Sequence, residues 1–222
     1  MDPDFWHNRW REARIGFHQS QINSHLQAFW PHLGVAPPAQ VFVPLCGKSL
    51  DLLWLRDQGY SVLGVEISPV AVEALFTENH LAVQRTRDGL FERWTSGAIS
   101  LMLGDFFDLD ATHLAGTAAV YDRASLVALP PAMRPGYARR LAELVPERTP
   151  VLLVTLEYPQ GEMEGPPFSV PEDEVRGLFG SRYDIDPVFE FDVLAESPKF
   201  RDKGLSMMKE RVYLLSGRSR GG

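Results

Sequence analysis

From residue 40 onward, short apolar runs of strand length alternate with stretches of helical periodicity. Residues 40–44 and 60–66 are rich in β-branched and apolar side chains. Between them, residues 49–58 place leucine and tryptophan on one face at three- and four-residue spacing, and Gly59 follows as a residue suited to a left-handed helix cap. Such alternation predicts βα units arranged around a mostly parallel sheet.

The later segments extend this sheet. Residues 151–156 form a continuous apolar run, which is typical of a central strand buried on both faces. The remaining patterns predict strands at 98–103 and 117–121, a hairpin at 83–95, a helix at 133–145, and an antiparallel pair at 183–194 and 209–215 with no helix between its members. The fold class is therefore α/β, a Rossmann-like, doubly wound sheet of seven mostly parallel strands that ends in an antiparallel C-terminal pair.

The two ends of the chain lie outside this alternation. Residues 1–37 carry six phenylalanine and tryptophan side chains and predict one or two helices that pack as an N-terminal lid or flank. Residues 216–222 are small, basic and rich in glycine, which predicts a flexible tail. We expect residues 1–222 to form a single domain, because no composition shift or linker divides them.

Composition narrows the partners and the compartment. The 222 residues are 45% hydrophobic and 23% charged, an ordinary globular composition. The net charge of −7 disfavours nucleic acid and anionic membranes as partners, and neither an export signal nor a run of about 18 apolar residues is present. Cys46 is the only cysteine, which excludes a disulfide framework and a multi-thiolate zinc site and favours the cytoplasm.

Candidate ligand-binding residues follow three successive strands. In open α/β sheets, ligands bind beyond the carboxyl ends of the strands. The first predicted strand runs into a turn that contains Gly47, and the second ends in Glu66, 19 residues later, the distance typical of an acid that accepts hydrogen bonds from ribose hydroxyls. Asp105 and Phe106 follow the third strand and could address an adenine amino group and ring. Together these residues indicate an adenosine-type ligand.

Each of these features also has a structural alternative. Gly47 can serve the geometry of the turn alone, Glu66 can be a solvated charge, and Asp105 can cap a helix. A phosphate-binding P-loop is excluded, because Phe42 stands where that loop needs glycine. The Gly-x-Gly-x-x-Gly motif of dinucleotide sites is absent, and the scattered histidines predict no metal site. The aromatic N-terminal residues can be core, or can cover a cationic ligand.

Several motifs together resemble one known family, the thiopurine S-methyltransferases, which are class I S-adenosylmethionine-dependent methyltransferases. The likeness extends over nearly the entire chain, from Trp6 to Leu215. The residues that carry it are Trp6-x3-Trp10, Phe17-His18-Gln19, and the segments 42–48 (FVPLCGK), 64–68 (GVEIS), 121–128 (YDRASLVA) and 165–171 (GPPFSVP).

This resemblance implies S-adenosylmethionine as the cofactor and S-adenosylhomocysteine as its product. Glu66 would take the ribose, Asp105 and Phe106 would hold adenine, and Trp6 and Trp10 would close over the cofactor. The residues expected to bind it are Trp6, Trp10, Leu45, Gly47, Glu66, Asp105, Phe106 and Arg123, with Leu45 and Gly47 at the methionine end.

The resemblance also implies an acceptor site beside the cofactor. Phe17 and His18 would contact the acceptor, and Pro167 and Phe168 would belong to a mobile flap above it. Arg123, at the end of a strand, would face the reacting centre and act as the catalytic residue.

Two basic residues leave alternatives open. Arg123 can instead form a structural salt bridge with Asp122 or Glu66. Lys199 falls near a position where the family in animals can carry an arginine, but the sequence around it departs from the family pattern.

The function implied is S-methylation of small aromatic or heterocyclic thiols by a monomer. Two alternatives remain at this point. The first is methylation of selenium or tellurium oxyanions, because the same pocket suits another polarisable chalcogen. The second is a non-catalytic nucleotide-binding or sensor module, which would lack an acceptor cavity beside Phe17.

Overall fold

A computed structural model describes residues 3–218, apart from the side chain of Lys199. In this range the helices are α1 (Pro3–Arg11), α2 (Ser24–Phe29), α3 (Asp51–Asp57), α4 (Pro69–Glu78), α5 (Arg134–Leu144), α6 (Glu172–Phe179) and α7 (Pro198–Arg201). The strands are β1 (Gln40–Val43), β2 (Ser61–Glu66), β3 (Gln84–Asp88), β4 (Phe91–Ser96), β5 (Ile99–Leu103), β6 (Thr117–Arg123), β7 (Val151–Glu157), β8 (Tyr183–Asp192) and β9 (Lys209–Gly217). No helix of this part of the chain is long and apolar enough to cross a membrane.

All the strands join one sheet in the order β3-β4-β5-β2-β1-β6-β7-β9-β8. The central strands from β5 to β7 are parallel, and both ends of the sheet are antiparallel. The chain leaves β1 toward β2 on one side and returns to β6 on the other side. In doubly wound sheets, such a reversal opens a crevice at the carboxyl ends of the strands, and here it lies between β1 and β6.

Helices cover both faces of the sheet, as the predicted α/β fold requires. Val41 and Phe42 are both fully buried, and because neighbouring side chains of a strand point to opposite faces, they belong to two different clusters. The cluster around Phe42 includes residues of α5 and α6, whereas the cluster around Val41 includes residues of α2, α3 and α4. Helix α1 belongs to neither cluster and lies instead at the carboxyl ends of the central strands.

Three sequence predictions about the sheet need correction. The structure has nine strands rather than seven, because the predicted hairpin forms β3 and β4, and β4 pairs along its length with β5. The segment between β8 and β9 contains the short helix α7. Strand β9 continues through Ser216 to Gly217, so the predicted tail does not begin at residue 216. Residues 219–222 lie outside the described part.

Candidate active site

A cleft opens at the carboxyl ends of β1, β2 and β6, where the order of the strands reverses. It encloses about 900 Å³, counting its open mouth, which is within the range of small-molecule sites. The walls come from α1, the turn after β1, the end of β2 and the segment after β6. Of the residues predicted from the sequence, those that line the cleft are Trp6, Trp10, Phe17, His18, Leu45, Gly47, Glu66, Arg123 and Pro167.

The turn between β1 and α3 forms the floor of the cleft. Leu45 and Gly47 both adopt left-handed backbone conformations, with φ of 45° and 54°. A Cβ atom on Gly47 would lie 3.1 Å from the indole of Trp10, closer than most carbon contacts in proteins. Glycine is therefore needed at residue 47 for two reasons, its backbone conformation and the indole that packs on it.

Glu66 is a buried carboxylate in the wall of the cleft, with only 5% of its surface exposed. Its Oε2 accepts a hydrogen bond of 2.9 Å from the Gly47 N–H, and its Oε1 accepts one of 2.8 Å from the Ser68 N–H. Burial raises the pKa of Glu66, and these backbone donors oppose that rise. Each oxygen keeps a further lone pair, so the carboxylate can also accept hydrogen bonds from hydroxyl groups of a ligand.

Helix α1 brings the N-terminal aromatic side chains over this floor. The His7 Nε2–H donates to the Ile67 carbonyl at 3.1 Å, which ties the helix to the end of β2. The ring of Phe17 meets the indoles of Trp6 and Trp10 edge to face, with centroid distances of 5.8 and 5.6 Å. The N-terminal segment therefore lies over the cleft in the position predicted for a lid.

Arg123 ends β6 and points into the cleft, whereas its neighbour Asp122 points away from it. The guanidinium of Arg123 donates to the Phe17 carbonyl at 3.4 Å, and it forms no ion pair with any carboxylate within residues 3–218. Asp122 instead accepts a hydrogen bond of 2.6 Å from the Tyr137 hydroxyl. The structural salt bridge considered for Arg123 is therefore absent from the described residues, and its charge is available to a ligand.

His18 lies in the same cleft as this guanidinium and is half-buried. Burial lowers its pKa, and the nearby cations of Lys48 and Arg123 lower it further. The imidazole is therefore neutral at pH 7.

The structure does not bring every predicted residue into the cleft. Phe106 is 1% exposed, and its ring packs between Phe42 and Tyr137 at centroid distances of 6.5 and 4.8 Å. This burial contradicts the prediction that Phe106 offers a ring face to adenine. Asp105 is half-buried, and its Oδ1 caps a short helical turn by accepting from the Phe107 N–H at 2.9 Å.

The segment predicted to be a mobile flap is held by backbone hydrogen bonds. The Phe168 N–H donates to the Val127 carbonyl, and the Val170 N–H donates to the Leu156 carbonyl, both at 2.7 Å. The ring of Phe168 lies against Gly165 rather than in the cleft. Pro167 lines the cleft, and these bonds join the segment to its neighbours, while its mobility stays a prediction.

Sequence reasoning gave no site role to four polar residues that line the cleft, Lys48, Ser49, Asp51 and Tyr121. Asp51 is 1% exposed, its Oδ2 accepts from the Tyr121 hydroxyl at 3.0 Å, and its Oδ1 accepts from the Asn23 N–H at 2.8 Å. Burial raises the pKa of Tyr121 well above its usual range, so the phenol stays protonated. Asp51 could have been found from its place in the first turn of a helix directly after the glycine turn. Tyr121 could not, because its sequence context is that of any buried strand residue.

Comparison with known proteins agrees with this geometry. The family model described as thiopurine S-methyltransferase matches residues 1–218. A protein of Nitrosospira multiformis named thiopurine S-methyltransferase is 51% identical over 99% of this chain and all of its own length. Proteins of the same name from Pseudomonas entomophila and Methylococcus capsulatus are 53% and 52% identical, and each alignment covers 97% of this chain and at least 97% of the relative.

Solved structures share the fold at low sequence identity. A 1,6-didemethyltoxoflavin-N1-methyltransferase of Burkholderia thailandensis, solved with S-adenosylhomocysteine, superposes with a TM-score of 0.65 at 17% identity and covers 98% of this chain and 87% of its own. A methyltransferase of Anabaena variabilis described as SAM-dependent gives the same TM-score at 14% identity, covering 97% and 95%. With the family match over nearly the full length, the conclusion is that this chain belongs to the thiopurine S-methyltransferase family.

Proposed function

We propose that the protein transfers a methyl group from S-adenosylmethionine to the sulfur of small aromatic or heterocyclic thiols. Family membership and the names of the relatives at about 50% identity support this assignment. The observation that carries it is the cleft itself, in which the guanidinium of Arg123, which has no carboxylate partner within residues 3–218, faces the same space as the buried carboxylate of Glu66 and the indoles of α1.

The residues of the cleft fit the proposed cofactor. Glu66 presents a buried acceptor suited to the two hydroxyls of a ribose, and Gly47 brings bare backbone to the cleft floor. The indoles of Trp6 and Trp10 attract a positively charged centre by roughly 0.5–2 kcal/mol. When bound, S-adenosylmethionine supplies an electrophilic methyl group on its sulfonium. Asp105 remains a proposed adenine acceptor. It follows the end of β5, and the hydrogen bond from the Gly104 N–H to the Glu66 carbonyl keeps this end beside the end of β2.

The acceptor side of the cleft combines apolar walls with the guanidinium of Arg123. Phe17 and Pro167 exclude water, while Arg123 favours the thiolate over the thiol through its charge. Holding the two reactants collinear in such a dry site can contribute on the order of 7–11 kcal/mol to the acceleration. A strong general base is not required, because aromatic thiols are already partly ionised at pH 7.

Domain organisation, oligomeric state and compartment are properties of the whole chain. We propose that residues 1–222 act as one domain, as a monomer, in the cytoplasm, on a small-molecule acceptor. Burial, together with the charge of Glu66, raises the pKa of the Cys46 thiol well above its usual range. The Cys46 thiol therefore stays protonated and is a poor nucleophile.

The test is methyl transfer by the purified protein from S-adenosylmethionine to 6-mercaptopurine, followed by chromatography of the methylated product. We expect Arg123→Met to lower kcat/KM on the order of 100-fold, since it removes a charge that stabilises the reacting sulfur. The matched control is Arg139→Met, because Arg139 is an exposed arginine of α5. Transfer to selenite or tellurite but not to thiols would favour the chalcogen oxyanion alternative. Binding of S-adenosylhomocysteine without any transfer would favour the sensor module, although the cavity beside Phe17 disfavours it.

A further inference from the structure

Arg134 is a fully buried charge that the proposed reaction does not use. It is the first residue of α5, and its side chain is 0% exposed and the largest of those that the fold buries completely. It does not line the cleft, so its role cannot be direct contact with cofactor or acceptor. A charge buried this deeply costs free energy, and an unbranched apolar side chain such as methionine would fill much of the space without that cost.

The guanidinium joins three separate segments of the chain. Its Nε donates to the Leu129 carbonyl at 2.9 Å, and its Nη1 donates to the Ser169 carbonyl at 2.9 Å. The same Nη1 pairs with Oε2 of Glu174, in α6, at 2.7 Å. The planar fork of the guanidinium directs its donors to two carbonyls and a carboxylate in fixed directions, whereas a lysine ammonium would have to make all three bonds from one atom.

The two carbonyls lie directly behind the walls of the acceptor side. Leu129 follows Val127 and Ala128, which line the cleft, and Ser169 lies two residues after Pro167. The bond from the Phe168 N–H to the Val127 carbonyl is the other direct link between these walls. One backbone hydrogen bond and one guanidinium thus link the two walls directly, while Tyr158 and Gln160 also hold the 165–169 wall through the Pro167 carbonyl and the Ser169 N–H.

We propose that Arg134 is a positioning residue that fixes the distance between these two walls and thereby selects the size of the acceptor. The selection of the acceptor by size rests on the proposed function, whereas the link between the two walls does not. Loss of the guanidinium would let segments 126–129 and 165–169 separate, while the floor at Gly47 and Glu66, which Arg134 does not touch, would keep its geometry.

The first experiment measures the coupling without any activity. Hydrogen exchange of the backbone amides is compared in the wild type, Arg134→Lys, and the control Arg139→Lys, since Arg139 is an exposed residue of the same helix. We expect Arg134→Lys to speed exchange in segments 126–129 and 165–169 together, by about tenfold or more, with β1 and β2 unchanged. Faster exchange in neither segment, or in every segment alike, would overturn the proposal.

The second experiment uses catalysis to measure acceptor size. We expect Arg134→Lys to raise KM for 6-mercaptopurine by about tenfold and to raise the rate ratio of 2-naphthalenethiol to thiophenol, while Kd for S-adenosylhomocysteine stays within about twofold. Parallel loss of acceptor and S-adenosylhomocysteine affinity would overturn the proposal, because it would mark a general structural role.

Glu174→Gln keeps the test open if the lysine variant does not fold. Glu174 lies in α6 away from the cleft, and this variant removes the ion pair but leaves both carbonyl bonds. We expect a smaller change in the same direction, of about threefold in the acceptor KM. If the wild type methylates no thiol while the exchange coupling is observed, the proposed function fails and the wall-positioning role stands. If thiols are methylated but neither variant changes acceptor KM or exchange, the positioning role fails alone.

Discussion

Two buried carboxylates, at the ends of the strands on either side of β1, differ because of what donates to them. Glu66 accepts from two backbone N–H groups and faces the cleft. Asp122 accepts its closest hydrogen bond from the Tyr137 phenol, and it faces the core. Burial alone raises the pKa of both groups, but only Glu66 has backbone N–H donors at both of its oxygens. The residue in the cleft is therefore the one better held as an anion, as a ribose acceptor requires.

Removing the Glu66 carboxylate is expected to weaken cofactor binding. We predict that Glu66→Ala lowers the affinity for S-adenosylhomocysteine by about 1–3 kcal/mol, the range for hydrogen bonds to a charged group. A calorimetric titration measures it. The control is Glu73→Ala, an exposed residue on α4, which should leave affinity unchanged. If the Glu66→Ala variant binds S-adenosylhomocysteine as tightly as the wild type does, Glu66 does not bind the ribose.

Asp122 is expected to make stability fall as pH rises. Burial raises the pKa of Asp122 from 3.8 to about 6, so the folded protein holds this proton more tightly than the unfolded chain. The contribution of Asp122 to the free energy of unfolding is therefore complete below pH 4. About 3 kcal/mol of it is lost as the pH rises through 6. Asn cannot ionise, and its oxygen can still accept from Tyr137. We predict that Asp122→Asn flattens the pH dependence of urea unfolding between pH 4 and 7.

The control for that prediction is Asp173→Asn, because Asp173 is exposed in the first turn of α6. Its pH profile should run parallel to that of the wild type. If the stability difference between Asp122→Asn and the wild type is the same at pH 4 and pH 7, the buried proton is not the cause.

At the scale of elements, the turn between β1 and α3 depends on its contact with α1. Gly47 has a φ of 54° and packs under Trp10, whereas Gly89, in the β3–β4 hairpin, has a φ of 57° and open space around it. The two glycines therefore share a left-handed backbone conformation but differ in what an added methyl group would meet.

This pair allows strain and collision to be separated. We predict that Gly47→Ala and Gly89→Ala each lose about 1 kcal/mol of stability, because alanine resists positive φ. Only Gly47→Ala should also weaken binding of S-adenosylhomocysteine and change the tryptophan fluorescence, since its methyl group displaces the indole of Trp10 from the cleft. Equal binding by the two variants would show that α1 does not cover the cofactor.

At the scale of the whole molecule, the exposed edges of the sheet bear on assembly. Strand β8 forms one edge and carries Asp184, Asp186, Glu190 and Asp192. Pairing of two such edges would oppose like charges, which is a common way in which proteins prevent edge association. We predict sedimentation as a single 25.0 kDa species at micromolar concentration. A dimer at that concentration, unchanged by salt, would contradict this charge argument.

Much of the fold and half of the site follow from local sequence. The carboxyl ends of parallel strands meet at one edge of the sheet. Gly47, Glu66 and Arg123 could therefore be placed together from their positions at or just after strand ends. Phe106 could not, because a residue after a strand can turn either to the cleft or to the core. Arg134 follows two prolines at the start of a helix and was indistinguishable from a surface charge.

The sequence by itself determined the alternation of strands and helices and the residues at the strand ends. Each of these depends on periodicity or on chain neighbours, which a linear pattern contains. Only the tertiary structure decided which side chains meet: Arg123 and the Phe17 carbonyl are 106 positions apart, Tyr121 and Asp51 are 70 apart, and Arg134 and Glu174 are 40 apart. Such contacts depend on how distant segments pack, because burial and partner geometry set their energy and no local spacing encodes them.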